Sequence, residues 1–220
     1  MKNNKMNLLE TLNYYNLDQG KTDKNHQFPF GTNKEMCGYI SMYYNDFFNN
    51  LKDSNLTFVE IGSWLGGSLF LWEKFFTNGE IIGIDPNPEH DKLIPLSGVD
   101  GFQNSNQTFK EYLNSTDKIK FYQENAYDVD FIEKTFKDES IDILLDDGPH
   151  TQHFQKLVTD VYFKKIKVGG IIIIEDIIEN DIDDLINHYK TSCPNSDIQL
   201  SFNNSHWDKR LYNIITIKKN

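Results

Sequence analysis

Two acid clusters in this chain each follow an apolar run that reads as a buried strand. Residues 141–145 lead into Asp146-Asp147-Gly148-Pro149-His150, and residues 171–174 lead into Glu175-Asp176. Carboxylates are the ligands that a hard cation such as Mg²⁺ takes, and such an ion keeps waters that a diol or catechol can replace. A cation on acceptor oxygens lowers their pKa and fixes their direction. The reference pKa of a histidine side chain lies near neutrality, which makes His150 a candidate for removal of a hydroxyl proton. Adjacent parallel strands would bring Asp147, Glu175 and Asp176 to neighbouring carboxyl ends of one sheet, where ligands bind in open α/β folds. Three acids gathered there repel one another unless a cation neutralises them. Each residue also has a plainer reading. Asp146 or Asp147 would cap the following helix, Glu175-Asp176 would be a solvated strand end, and His150 and His153 would be loop and surface residues.

A further constellation lies upstream. Thr57, Phe58, Val59 and Ile61 have strand character, and Glu60-Ile-Gly62-Ser63-Trp-Leu-Gly66-Gly67-Ser68 turns that strand into a helix. The glycines supply backbone freedom and let a ligand lie against the main chain. A helix starting near Gly67 would aim free N–H groups at that ligand. The next apolar run ends at Asp85, where an acid is placed to hydrogen-bond a ribose diol. The chain therefore looks built to hold a nucleoside-bearing cofactor.

These residues need a scaffold, and the periodicity supplies one. A short helix is expected near residues 6–14. Tyr39, Met42, Tyr43, Phe47 and Phe48 recur at helical spacing, which predicts an amphipathic helix packing its aromatic stripe on the core, with a substrate contact by Tyr39 or Tyr43 as the lesser reading. Strands are predicted at 57–61, 80–85, 119–122, 141–145 and 171–174, the last after a Val168-Gly169-Gly170 turn, with helices at 67–76, 108–113, 131–136, 154–161 and 182–189 between or after them. Two closing strands near 198–202 and 211–217 suggest an antiparallel pair. Alternating strands and helices imply a doubly wound, mostly parallel sheet with right-handed crossovers and helices on both faces. Residues 1–50 read as an N-terminal extension whose helix packs on the core, and 51–220 as one ligand-binding domain. Segments 15–35 and 89–106 have loop composition and would shape an acceptor pocket.

Bulk properties narrow the classes. The 220 residues are 38% hydrophobic and 14% aromatic, enough for one well-filled core. A net charge of −11 disfavours nucleic acid or an anionic membrane as the main partner. Cys37 and Cys193 form no CxxC pair and read as reduced thiols. No run approaches a membrane span and the start carries no signal-peptide core. A cytoplasmic location is the expectation; homo-oligomer formation stays open.

A nicotinamide site would prefer G-x-G-x-x-G after the first strand, which Glu60-x-Gly62-x-x-x-Gly66-Gly67 does not match. The pattern resembles instead the first motif of class I S-adenosylmethionine-dependent methyltransferases. Asp147-Gly148-Pro149-His150 and Glu175-Asp176 resemble the D-G-S-H and E-D signatures of the macrolide sugar O-methyltransferases of the mycinamicin and macrocin type. Gly20-Lys21-Thr22-Asp23-Lys24 resembles their G-T-D-K segment. The likeness spans residues 20–180, with Pro149 in place of Ser and Lys21 inserted.

The resemblance implies a Rossmann-like sheet of seven strands with an antiparallel last strand. It implies S-adenosyl-L-methionine as cofactor, with Glu60, Gly62 and the Gly66 turn at its methionine end and Asp85 at its ribose. Asn125 would lie beside the adenine, and Ser63, Ser68 and Asp146 complete the binding set. Mg²⁺ or another divalent cation would be held by Asp147, Glu175 and Asp176, with His150 as general base. The implied activity is O-methylation of a small-molecule or carbohydrate acceptor. A catechol or phenol acceptor, and a non-catalytic binding module on the same fold, are the competing readings.

Overall fold

Phe58 and Val59 are neighbours in sequence but belong to different halves of the core, and this alternation explains the architecture. The structure, a computed structural model, describes residues 6–19, 30–86, 96, 99, 102, 106–203 and 212–220. In β1 (Thr57–Ile61) Phe58 packs on one side of the sheet and Val59 on the other; in β2 (Glu80–Ile84) Ile81 and Ile82 divide in the same way. So do Ile143 and Leu144 in β4 (Ile141–Asp146), and Ile172 and Ile173 in β5 (Ile166–Ile177). A sheet covered on both faces needs such continuous apolar runs. With β3 (Ile119–Tyr122), β6 (Ser196–Asn203) and β7 (Tyr212–Lys219), the strands form one seven-stranded sheet in the order β3-β2-β1-β4-β5-β7-β6. The first five strands pair in parallel, and β7 runs antiparallel to both β5 and β6. The expected doubly wound sheet with an antiparallel last strand is what forms.

On one face lie α1 (Leu8–Tyr14), α2 (Asn45–Asn49), α3 (Gly67–Phe75) and α4 (Phe109–Leu113), meeting the sheet through an aromatic core that includes Phe48, Phe58, Trp72 and Phe76. On the other, α5 (Val129–Thr135), α6 (Gln152–Tyr162) and α7 (Ile182–Ser192) pack Ile132, Val158, Tyr162, Leu185 and Tyr189 against isoleucines of β4, β5 and β7. Asn7–Glu10 and Thr108–Glu111 form reciprocal capping boxes that start the short helices α1 and α4.

Two elements depart from expectation. The predicted turn at Val168-Gly169-Gly170 lies inside β5, which starts at Ile166 and pairs Ile141 with Ile166 before its register shifts. Gly169 sits at φ +81°, so the glycines bend a strand rather than end it. The predicted helix over the aromatic stripe is a π-helical turn, Ile40–Tyr44, running into α2. Residues 20–24 lie outside the described residues, as does most of 89–106. Among the described residues no helix is long and apolar enough to cross a membrane.

Candidate active site

Strands β1, β2 and β4 end side by side around a cavity of about 510 Å³, within the usual range for a small-molecule site. Its floor is the turn after β1. Gly62 takes φ +81°, its N–H donates to the Ile84 carbonyl at 2.9 Å, and a Cβ there would lie 2.1 Å from the Asp147 carbonyl oxygen. Only glycine lets the two strand ends approach so closely. Gly66, also left-handed, caps α3. Gly67 packs against Gly31, whose carbonyl oxygen a Cβ would meet at 1.7 Å. The glycines thus serve contacts within the chain and fix Gly31, Thr32 and Asn33 as one wall of the cavity.

Of the residues expected to hold a cofactor, Gly62, Ser63, Ser68, Asp85 and Asn125 line this cavity. Ser63 Oγ is buried with no hydrogen-bond partner among the described residues, so a polar ligand group would satisfy it. Asp85 accepts the Trp64 N–H at 2.9 Å, which holds Trp64 at φ +42° on the rim. Gly66 adjoins the wall. Two others stand behind it. Glu60 is fully buried and accepts from Ser68 Oγ at 2.8 Å. Asp146 is also buried and accepts from the Tyr127 hydroxyl at 2.9 Å. Burial pushes its carboxyl up to about 7, opposed by that hydrogen bond.

The acids after β4 and β5 do converge, in two layers. The outer layer is Asp147, His150 and Asp176. His150 Nε2 lies 3.7 Å from Asp147 Oδ1 and its Nδ1 lies 3.5 Å from Asp176 Oδ2. One ligating atom from each falls within 4.8 Å of the others. His150 and Asp176 both take left-handed backbone conformations, φ +52° and +56°, which for such residues costs on the order of 1 kcal/mol each. The two carboxylates make a donor pair that a hard divalent ion fits, with the imidazole beside them.

The inner layer is organised by Lys34, which sequence reasoning missed. Its ammonium lies 2.7 Å from Asp147 Oδ2, 2.8 Å from Glu175 Oε2 and 3.3 Å from Glu60 Oε1. Tyr44 donates to the other Glu175 oxygen at 2.5 Å, so Glu175 is committed inward. Burial alone would lower the Lys34 pKa, but Asp147, Glu175 and Glu60 outweigh it and hold the ammonium charged, well above its ordinary range. One cation cannot balance three carboxylates; burial pushes Glu60 and Glu175 up. Asp176 is raised as well, by burial and then by the Asp147 charge. Tyr39 donates to Asp176 Oδ1 at 2.5 Å and accepts the Asp176 N–H at 3.1 Å. Tyr43 pairs with Thr216 Oγ1 at 2.5 Å. Tyr39 and Tyr43 of the stripe expected to pack thus also reach polar partners, and Tyr44, which the stripe did not include, does the same. Gly31-Thr32-Asn33-Lys34 shares three of four residues with G-T-D-K, without an insertion, and was the signal for Lys34.

Strand order, the glycine turn and an acid-and-histidine cluster beside a ligand-sized cavity define a ligand-binding protein built on the doubly wound fold. Residues 59–177, over half the chain, match the methyltransferase domain family, and the chain belongs to that family. It is similar to the mycinamicin VI 2''-O-methyltransferase of Micromonospora griseorubida, 24% identical over 147 residues, covering 63% of this chain and 31% of that protein. It is similar also to the demethylmacrocin O-methyltransferase of Streptomyces fradiae, 24% identical over 147 residues, covering 63% of this chain and 32% of that protein. The chain thus spans about a third of the length of these two relatives. Among solved structures, MycE methyltransferase from the mycinamycin biosynthetic pathway in complex with Mg and SAH superposes with a TM-score of 0.56 at 18% identity, covering 83% of this chain and 50% of that one. It shares the fold.

Proposed function

We propose that this protein is an S-adenosylmethionine-dependent O-methyltransferase that methylates a hydroxyl of a small molecule, sugar or glycoconjugate, with a divalent cation at its acidic cluster. The observation that carries this reading is the position of His150, in the cavity wall between the carboxylates of Asp147 and Asp176. Support comes also from the two relatives, which are O-methyltransferases by name, and from the structural neighbour, which holds Mg and SAH.

Gly62, Ser63, Ser68 and the Gly66 turn would hold the methionine end of the donor, Asp85 its ribose and Asn125 the side of its base. Asp147 and Asp176 would hold the ion, with Glu175 fixed behind them. Bound there, the donor supplies an electrophilic methyl group and the cation, Mg²⁺ by the hardness of its carboxylate ligands, supplies positive charge to acceptor oxygens. His150 takes the acceptor's hydroxyl proton on one ring nitrogen while a flanking carboxylate orients the other. The imidazole is 40% exposed, which leaves room for an acceptor beside it.

Calorimetric titration with S-adenosylhomocysteine tests the donor site; binding in the micromolar range is expected, and no heat at high micromolar concentration overturns it. With a panel of glycosides as acceptors, EDTA should abolish transfer and added Mg²⁺ restore it. Transfer by His150→Ala at the wild-type rate overturns the role given to that residue.

A further inference from the structure

Acid and base chemistry accounts for Asp147, His150 and Asp176 but not for a fully buried lysine among them. Lys34 comes from outside the 59–177 segment, and the chain takes trouble to bring it in. Gly31 is clamped on Gly67. Thr32 donates its N–H to the Leu17 carbonyl at 2.8 Å and accepts the Gln19 N–H at 3.2 Å. The Lys34 ammonium then meets carboxylates from the ends of β1, β4 and β5 at 2.7–3.3 Å. A charge surrounded in this way stands where an acidic site would otherwise take a metal ion. Its contacts divide the cluster. Glu60, Glu175 and Oδ2 of Asp147 face the ammonium, while Oδ1 of Asp147 and Oδ2 of Asp176 face His150.

We propose that Lys34 is a positioning residue: a resident ammonium that fills the inner layer of the acidic cluster, pins one oxygen of Asp147, and restricts the site to a single divalent ion on the outer layer. It acts through Asp147 and touches neither donor nor acceptor. This inference rests on the metal reading given above. It also moves the first-motif acid, Glu60, from the donor pocket to the electrostatics of the metal layer, since Glu60 reaches the ion through Lys34.

The test is titration with Mn²⁺ alone, followed by calorimetry and by the electron paramagnetic resonance of the free ion. The wild type should bind one equivalent. Lys34→Met, with three carboxylates left facing one another, should bind two, and Lys34→Arg, which restores the charge, should bind one. Two equivalents in the wild type, or one equivalent in Lys34→Met within twofold of the wild-type affinity, overturns the inference alone. A wild type that binds no Mn²⁺ overturns the metal reading with it. If Lys34→Met does not fold, Glu60→Gln carries the test. The ammonium is then shared by two carboxylates, Asp147 is more fully neutralised, and Mn²⁺ affinity should fall about fivefold; an unchanged affinity overturns the inference.

Discussion

Two lysines of this chain are covered to nearly the same degree and have opposite surroundings. Lys34 is 1% exposed and its partners Glu60, Asp147 and Glu175 are 0%, 21% and 1% exposed. Lys165 is 2% exposed, yet its partners Glu133 and Asp138 are 42% and 65% exposed. Both ammonium groups lie within 3 Å of two carboxylate oxygens. Water can solvate the partners of Lys165 if the lysine is lost. At Lys34 there is little such relief, because Glu60 and Glu175 are themselves enclosed and Asp147 is only partly open. Burial of a cation by itself is therefore a poor guide to its importance; the solvation of what it neutralises decides.

The largest expected effect is at Lys34. In EDTA, Lys34→Met should lose about 3–5 kcal/mol of unfolding free energy, the range for removing one member of a buried ionic cluster, read by urea denaturation. Gly67→Ala should cost about 3 kcal/mol by forcing a methyl into the Gly31 carbonyl and lifting the lysine-bearing segment from the turn; near-wild-type stability would show that the segment is not clamped there. Tyr44→Phe deprives Glu175 of its hydroxyl donor and should cost about 2 kcal/mol, measured in the same way.

Asp146 provides a smaller, pH-dependent contrast. Burial raises its carboxyl to about 7 in the native state, whereas an unfolded Asp titrates near 4. The native state thus holds this proton more firmly. The stability it contributes is full below about pH 4 and is lost as pH rises through about 7. Asp146→Asn stays neutral throughout, so the gap in Tm between wild type and Asp146→Asn should move against the wild type between pH 4 and pH 8; a constant gap over that window contradicts the raised pKa. The smallest effect belongs to Lys165→Met, for which Tm should stay within about 2 °C of wild type. A loss as large as that of Lys34→Met would break the comparison outright.

How much of this was legible in the chain depended on distance along it. The bounds of β1 and β3 follow from short apolar runs, and adjacency of β4 and β5 was enough to bring Asp147, His150 and Asp176 together. The start of β5 was not legible, because Val168-Gly169-Gly170 has turn composition and only the register shift against β4 keeps it in the sheet. Lys34 was harder still. Its three partners lie on or just after strands 26, 113 and 141 residues away in sequence, and the one local signal, Gly31-Thr32-Asn33-Lys34, does not say where the ammonium goes. Tyr39 and Tyr43 share this difficulty, since an aromatic stripe at helical spacing reads as packing whichever way its hydroxyls point, and Tyr44 falls outside that stripe altogether.

The position of β7 has a consequence for how this molecule is made. The strand is latest in sequence but sits inside the sheet, between β5 and β6. While the chain is being synthesised, β6 has no partner to pair with and β5 has a bare edge, because the piece that joins them has not yet emerged. The sheet can close only when Tyr212–Lys219 inserts between two elements already present. Until then the isoleucines of β5 present an open, adhesive margin. A ribosome that stalls between residues 177 and 212 leaves a nascent chain with the turn after β1 and the acids of β4 and β5 already made and its sheet unsealed, and such a chain is a ready client for chaperones.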